Sequence, residues 1–98
     1  MAAAQPGSPR NERLAGVTFG DIPEDSPFYG RLQGTVIYEV ERGTPAWRAG
    51  LRQGDVITSV NRRQVSDTQE FIALVNGLRG QLLLRVQRGN SAAFVVIK

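Results

Sequence analysis

The chain has 98 residues, a formal net charge of +3, and neither cysteine nor histidine, which is the size of one small domain. The two missing residue types remove thiol nucleophiles, Ser-His-Asp machinery and the ligands of zinc and copper sites, so neither a cofactor nor an independent enzyme activity is expected. Eleven of the twelve cationic side chains are arginines spread along the chain among acidic residues, with only Arg62 and Arg63 adjacent, a solvated basic surface rather than the clustered footprint of a nucleic-acid binder.

Residues 1–12 contain Pro6, Gly7, Ser8 and Pro9 and read as a flexible linker or tail ahead of one domain at 13–98. They lack the apolar centre of a signal peptide, and no apolar stretch approaches the length of a membrane span. The absence of cysteine suits the cytosol or the periplasm equally. A short apolar entry, Leu14 to Phe19, is followed by Gly20 and by a segment, 21–33, whose Pro23, Asp25, Ser26, Pro27 and Gly30 make it mostly loop. Its Pro23, Pro27, Phe28 and Tyr29 are expected either to fold back on the domain or to meet another one.

Residues 35–41 (TVIYEVE) alternate with a period of two, Val36, Tyr38 and Val40 on one face and Ile37 and Glu39 on the other, as a half-buried strand does. Thr44 then caps a short helix whose first residue, Pro45, has its φ already set and no N–H to leave unsatisfied. Gly50 ends that helix and Leu51 closes the motif against its last turn. After the turn through Gln53, Gly54 and Asp55, the β-branched run 56–60 (VITSV) is a strand. Val65 forms a short strand or bridge beyond the turn at 61–64.

Asp67-Thr68-Gln69-Glu70 is a capping box that opens a helix running to Asn76, with Gly77 as its stop. At about 100° per residue, Phe71, Leu74 and Leu78 share the arc expected to face the core, while Thr68, Ile72 and Val75 lie further round. Two strands, 81–87 and 92–97, follow the Arg79-Gly80 turn and are joined through Arg88-Gly89-Asn90-Ser91, where Gly-Asn signals a hairpin. Five to six strands with two helices give a mainly β domain, a small, partly open barrel or sandwich. Trp47, the single tryptophan, is expected to pack over the loop next to its helix.

The run GTPAWRAGLRQGDVITSVN, residues 43–61, resembles the central signature of a PDZ domain of the bacterial HtrA/Deg serine protease type, most like the C-terminal (second) PDZ domain of such a protease. The resemblance implies the permuted strand order in which the groove strand comes first. It also implies a non-catalytic module that binds a C-terminal or extended peptide by strand addition. On this mapping Arg13, Leu14, Ala15, Gly16 and Val17 form the carboxylate loop, with N–H groups of Ala15, Gly16 and Val17 as donors. Val17, Thr18 and Phe19 are the pairing strand, and Thr68, Ile72 and Val75 are the groove face of the helix. Ala15 departs from the larger apolar residue usual in that loop.

Expected partners are C-terminal or unfolded peptide segments, the protease and first PDZ domains of a parent chain, and further copies through the parent; no nucleic acid and no membrane insertion are expected. The implied location is the periplasm. The alternative function is an inter-domain or oligomer-assembly contact module with an unused groove.

Overall fold

In the computed structural model, which describes residues 11–98, one antiparallel sheet carries both helices. Strands β1 (Val17–Gly20), β2 (Thr35–Val40), β3 (Val56–Val60), β5 (Leu82–Arg88) and β6 (Ser91–Ile97) follow the order β1-β2-β3-β5-β6. The two-residue β4 (Arg63–Gln64) folds back on β3. Helix α1 (Pro45–Ala49) joins β2 to β3, and α2 (Thr68–Asn76) joins β4 to β5. The expected architecture of six strands and two helices is what forms, as an open sheet with its first strand at one end.

Helix α1 forms for local reasons. The Thr44 hydroxyl accepts from the Trp47 N–H at 3.2 Å, Pro45 occupies the first turn, and Gly50 adopts φ 111°. Leu51 donates to the Ala46 carbonyl at 3.0 Å and is fully buried, so chain reversal and core packing are one event. Trp47 is half-buried beneath Arg52, whose guanidinium carbon lies 3.6 Å from the ring centroid and whose Nη1 donates to the Trp47 carbonyl at 2.8 Å. Packing against an arginine thus accounts for this tryptophan.

Alternation in β2 turns the opposite way from the more apolar set of the sequence. Thr35 and Ile37 are buried, whereas Val36, Tyr38 and Val40 are only partly covered. The β1/β2 register shifts between Thr18 and Phe19, so that Thr18 faces Glu39 but Phe19 faces Ile37. Beyond that irregularity Phe19 enters the core and meets Phe71 at 4.7 Å between ring centroids, tilted 52°. Val65 lies just outside β4, is buried, and bonds to Thr58 as an extension of that pairing.

Asn11 and Glu12, expected in the tail, belong to the fold: Asn11 is buried and caps a 3-10 turn at Glu12–Leu14. The remaining tail residues lie outside the described ones. Segment 21–33 contains no strand or helix but is a succession of turns, with Ser26 N–H donating to Pro23 O, Tyr29 to Ser26 O, and Arg31 and Leu32 to Phe28 O.

At the other end of the domain a buried carboxylate joins α1, β3 and β5. Arg88 Nε and Nη2 reach the two oxygens of Asp55 at 2.9 and 2.6 Å, and Asp55 also accepts the Arg52 N–H at 3.1 Å. The hydrogen bond to Asp55 raises the guanidinium pKa above its ordinary value. A raised pKa on a cation gives stability that is fully present below the unfolded value and lost only above it, so this arginine adds no pH dependence in the neutral range. Arg88→Ala leaves Asp55, only 3% exposed, facing a single backbone N–H. The expected cost is about 2–3 kcal/mol by denaturant unfolding, below the usual penalty for a broken buried pair because the guanidinium is half exposed.

Candidate functional site

Three contacts lay β1 and α2 side by side in opposite directions. Ahead of β1, Asn11 Nδ2 donates to the Val75 carbonyl at 3.0 Å and to the Leu78 carbonyl at 3.4 Å, adding to the bonds that close the C-terminal end of α2. In the middle, Phe19 packs on Phe71. Past the end of β1, Asp21 Oδ1 accepts the Thr68 N–H at 2.9 Å, where the helix dipole favours a carboxylate. Because β1 ends the strand order, it lies at the margin of the sheet with α2 alongside it.

The loop entering β1 is built on Leu14, fully buried, which anchors the 3-10 turn to the core. Ala15 and Gly16 stand exposed above it. Gly16 has φ 80°, a left-handed conformation that favours glycine, and a Cβ there would lie 2.7 Å from the Thr44 methyl. Its carbonyl accepts the Glu41 N–H at 3.0 Å, fixing the loop to the end of β2, while its own N–H has no partner among the described residues.

The Ala15 N–H, expected as a ligand donor, instead donates to the Glu12 carbonyl at 3.2 Å, because a 3-10 turn closes there. Val17 is buried and already engaged in a polar interaction. Arg13 is half-buried, and its Nε is buried with no hydrogen-bond partner among the described residues.

Helix α2 is rotated relative to the sequence expectation. Its buried stripe is Thr68, Phe71 and Val75, whereas Leu74 and Leu78 are only partly covered. The cause is tertiary: the Thr68 hydroxyl lies 2.7 Å from that of Thr35, which in turn donates to the Gly20 carbonyl. With Asp21 on the backbone N–H of the same residue, Thr68 is held over the ends of β1 and β2. Val75, fully buried, and Thr68, 5% exposed, are therefore core residues before they are groove residues. Of the three positions expected to line the groove, Ile72 alone keeps appreciable exposed surface, at the edge of the core cluster.

Sequence reasoning missed Asn11 and Asp21, the two ties between β1 and α2. A signal for Asp21 was present: a carboxylate just past a strand is a natural partner for a helix N-terminus. Nothing local marked Asn11, whose partners are 64 and 67 residues away. Among the described residues no helix is long and apolar enough to cross a membrane, and no group of three or more His, Cys, Asp or Glu is placed to hold a metal ion.

The chain is 38% identical over 68 residues to a probable DegP-like periplasmic serine endoprotease of Buchnera aphidicola, covering 69% of this chain and 15% of that protein. It is 35% identical over 69 residues to the periplasmic serine endoprotease DegP of Escherichia coli K12, covering 70% and 15%. It thus spans about 15% of the length of these curated relatives. Among solved structures, the HtrA3 PDZ domain bound to the phage-derived ligand FGRWV superposes with a TM-score of 0.73 at 26% identity, over 97% of this chain and 86% of that one. The family model for the PDZ domain matches residues 36–88, from β2 to the end of β5, and with this sheet and its flanking helix the chain belongs to the PDZ domain family.

Proposed function

We propose that this PDZ domain is a non-catalytic peptide-binding module of a Deg-type periplasmic serine protease, most like the C-terminal PDZ domain of such a chain. A C-terminal or extended peptide adds as a strand between residues 17–19 of β1 and helix α2. The observation that carries this reading is the edge position of β1 with α2 beside it. Strand addition needs a sheet margin for main-chain bonds and an adjoining wall for side chains, and β1 lies at the end of the sheet with α2 beside it.

Exposed Gly16, whose N–H has no partner among the described residues, and the nearby positive charge of Arg13 suit a terminal carboxylate, which is recognised by inward-turned amides and a nearby cation. Ile72 gives the wall an apolar side chain. The likeness to a PDZ domain solved with a short ligand supports the same use. On this reading the protease and first PDZ domains of the parent, and other copies of it, are the neighbours, and the DegP relatives support a periplasmic location.

The test is fluorescence polarisation with peptides carrying a free C-terminus and their amidated twins. Charged hydrogen bonds of this kind are worth about 1.5–3 kcal/mol, so amidation is expected to weaken binding roughly ten- to hundredfold. Equal affinity for both forms overturns the carboxylate loop. Ile72→Asp is expected to bring peptide binding below detection while changing unfolding free energy by only about 1 kcal/mol, since the side chain is only partly buried.

A second reading, the contact module with an unused groove, draws on β6. Phe94 and Val96 are 66% and 40% exposed on that last strand, an apolar pair at the opposite end of the sheet from β1. Failure of either peptide form to bind favours that reading.

A further inference from the structure

Between segment 21–33 and the N-terminus of α2 lies a pocket of about 210 Å³, open to solvent and bordered by Asp21, Tyr29, Leu32, Gln33, Ser66 and Asp67. A water takes about 30 Å³ of liquid volume, so the pocket has room for several waters or one long side chain. Asp21 immediately follows β1, and Asp67 is the N-cap of α2. The pocket therefore lies at the end of β1 and α2 where Asp21 ties strand to helix.

Its chemistry is one-sided in a chain of net positive charge. Two carboxylates border it, and no arginine or lysine does. Asp21 uses Oδ1 for the Thr68 N–H and Asp67 uses Oδ1 for the Glu70 N–H, at 2.9 and 2.8 Å. Neither Oδ2 has a hydrogen bond among the described residues, and each keeps acceptor capacity. The partial positive charge of the helix terminus is already met by these carboxylates. Tyr29, 52% exposed, adds an aromatic ring to the border.

We infer that this pocket is a subsite for a basic side chain, arginine before lysine, carried by the bound peptide about four residues upstream of its free C-terminus. The inference rests on the groove reading above and adds a sequence preference to it. Antiparallel strands advance residue for residue, so with the terminal carboxylate at Gly16 and the last peptide residue beside Val17, the residue beside Asp21 is about four positions upstream. Arginine suits the site better than lysine because its planar group meets a carboxylate side-on and stacks on an aromatic face.

The experiment uses the 98-residue chain and free C-terminal peptides differing only at that position, with arginine, lysine, alanine or glutamate, read by fluorescence polarisation at low and moderate salt. Arginine is expected to bind about three- to tenfold tighter than alanine, glutamate more weakly than alanine, and the arginine advantage to shrink with salt, as for partly exposed ion pairs. In the double variant Asp21→Asn, Asp67→Asn, each asparagine keeps an Oδ1 acceptor for its helix N–H. The ratio of arginine to alanine affinity is expected to fall toward one. An unchanged ratio in that variant, or equal affinity for all four peptides in the parent chain, overturns the subsite while the groove stands. If no peptide of either terminus type binds, the groove and the subsite fall together.

Discussion

Replacing Phe71 with alanine is expected to lower the unfolding free energy by about 3–5 kcal/mol, the usual cost of truncating a buried phenylalanine. Phe71 is fully buried, and its ring lies 4.7 Å from that of Phe19. Losing it removes the contact that seats α2 on β1, and neighbours fixed by sheet pairing on one side and by Asp21 and Asn11 on the other have little freedom to close the void. Denaturant unfolding measures the loss. The comparison with Ile72→Asp makes the measurement decisive, because the adjacent residue is only partly buried at the edge of the core and its replacement is expected to lose ligand rather than stability. A larger loss of stability in Ile72→Asp than in Phe71→Ala would reverse the face assignment of α2.

Gly34→Ala is expected to have an effect of similar size for a different reason. Gly34 is buried where segment 21–33 enters β2, at φ 151°. A methyl group there would overlap the backbone oxygen of Ile57 and come within 3.3 Å of Thr58 Cα. That oxygen cannot swing aside, because Ile57 is paired with Thr35 on one side and Val86 on the other. Backbone strain and overpacking together are expected to cost about 3–5 kcal/mol. Hydrogen exchange at the Ile37 and Gly54 amides, which bridge β2 and the turn before β3, should accelerate with it. Gly30→Ala is the control: φ is 77° but nothing lies within 4 Å, so only the conformational penalty of about 1–2 kcal/mol applies. Equal losses at the two glycines would mean that steric overlap with β3 is not the cause.

How much of this could be read from the residues depends on where each structural decision is made. Thr44, Pro45 and Gly50 settle α1 within seven residues, and the structure has that helix, its caps and the following strand in their expected places. The Asp67 cap and the Gly89-Asn90 turn are equally local. Helix α2 was legible in extent but not in rotation. Its apolar residues cover a wide arc, and the choice among them falls to Asp21 and Thr35, which grip Thr68 from other strands. The inward turn of Ile37 depends likewise on the register with β1 and β3.

For the candidate site, β1 and α2 lie side by side as the sequence mapping supposes, but the division of labour among the named residues changes. Leu14, Val75 and Thr68 hold the core together, and the Ala15 amide closes a turn. Gly16, Arg13 and Ile72 are left facing outward or without a partner. Whether a glycine amide or an arginine Nε is spent inside the fold depends on hydrogen bonds that no local pattern encodes.

The two bonds from Asn11 to the end of α2 also bear on where this domain can be cut and how it can be pulled. A version trimmed to start at residue 13 would keep every strand and both helices yet remove the side-chain donor to the Val75 and Leu78 carbonyls, leaving the end of α2 to the Gly77 and Leu78 N–H groups. In a longer polypeptide the same knot makes the incoming backbone a handle. Tension applied ahead of Asn11 would meet the end of α2 before the sheet, because Asn11 is bonded to that end.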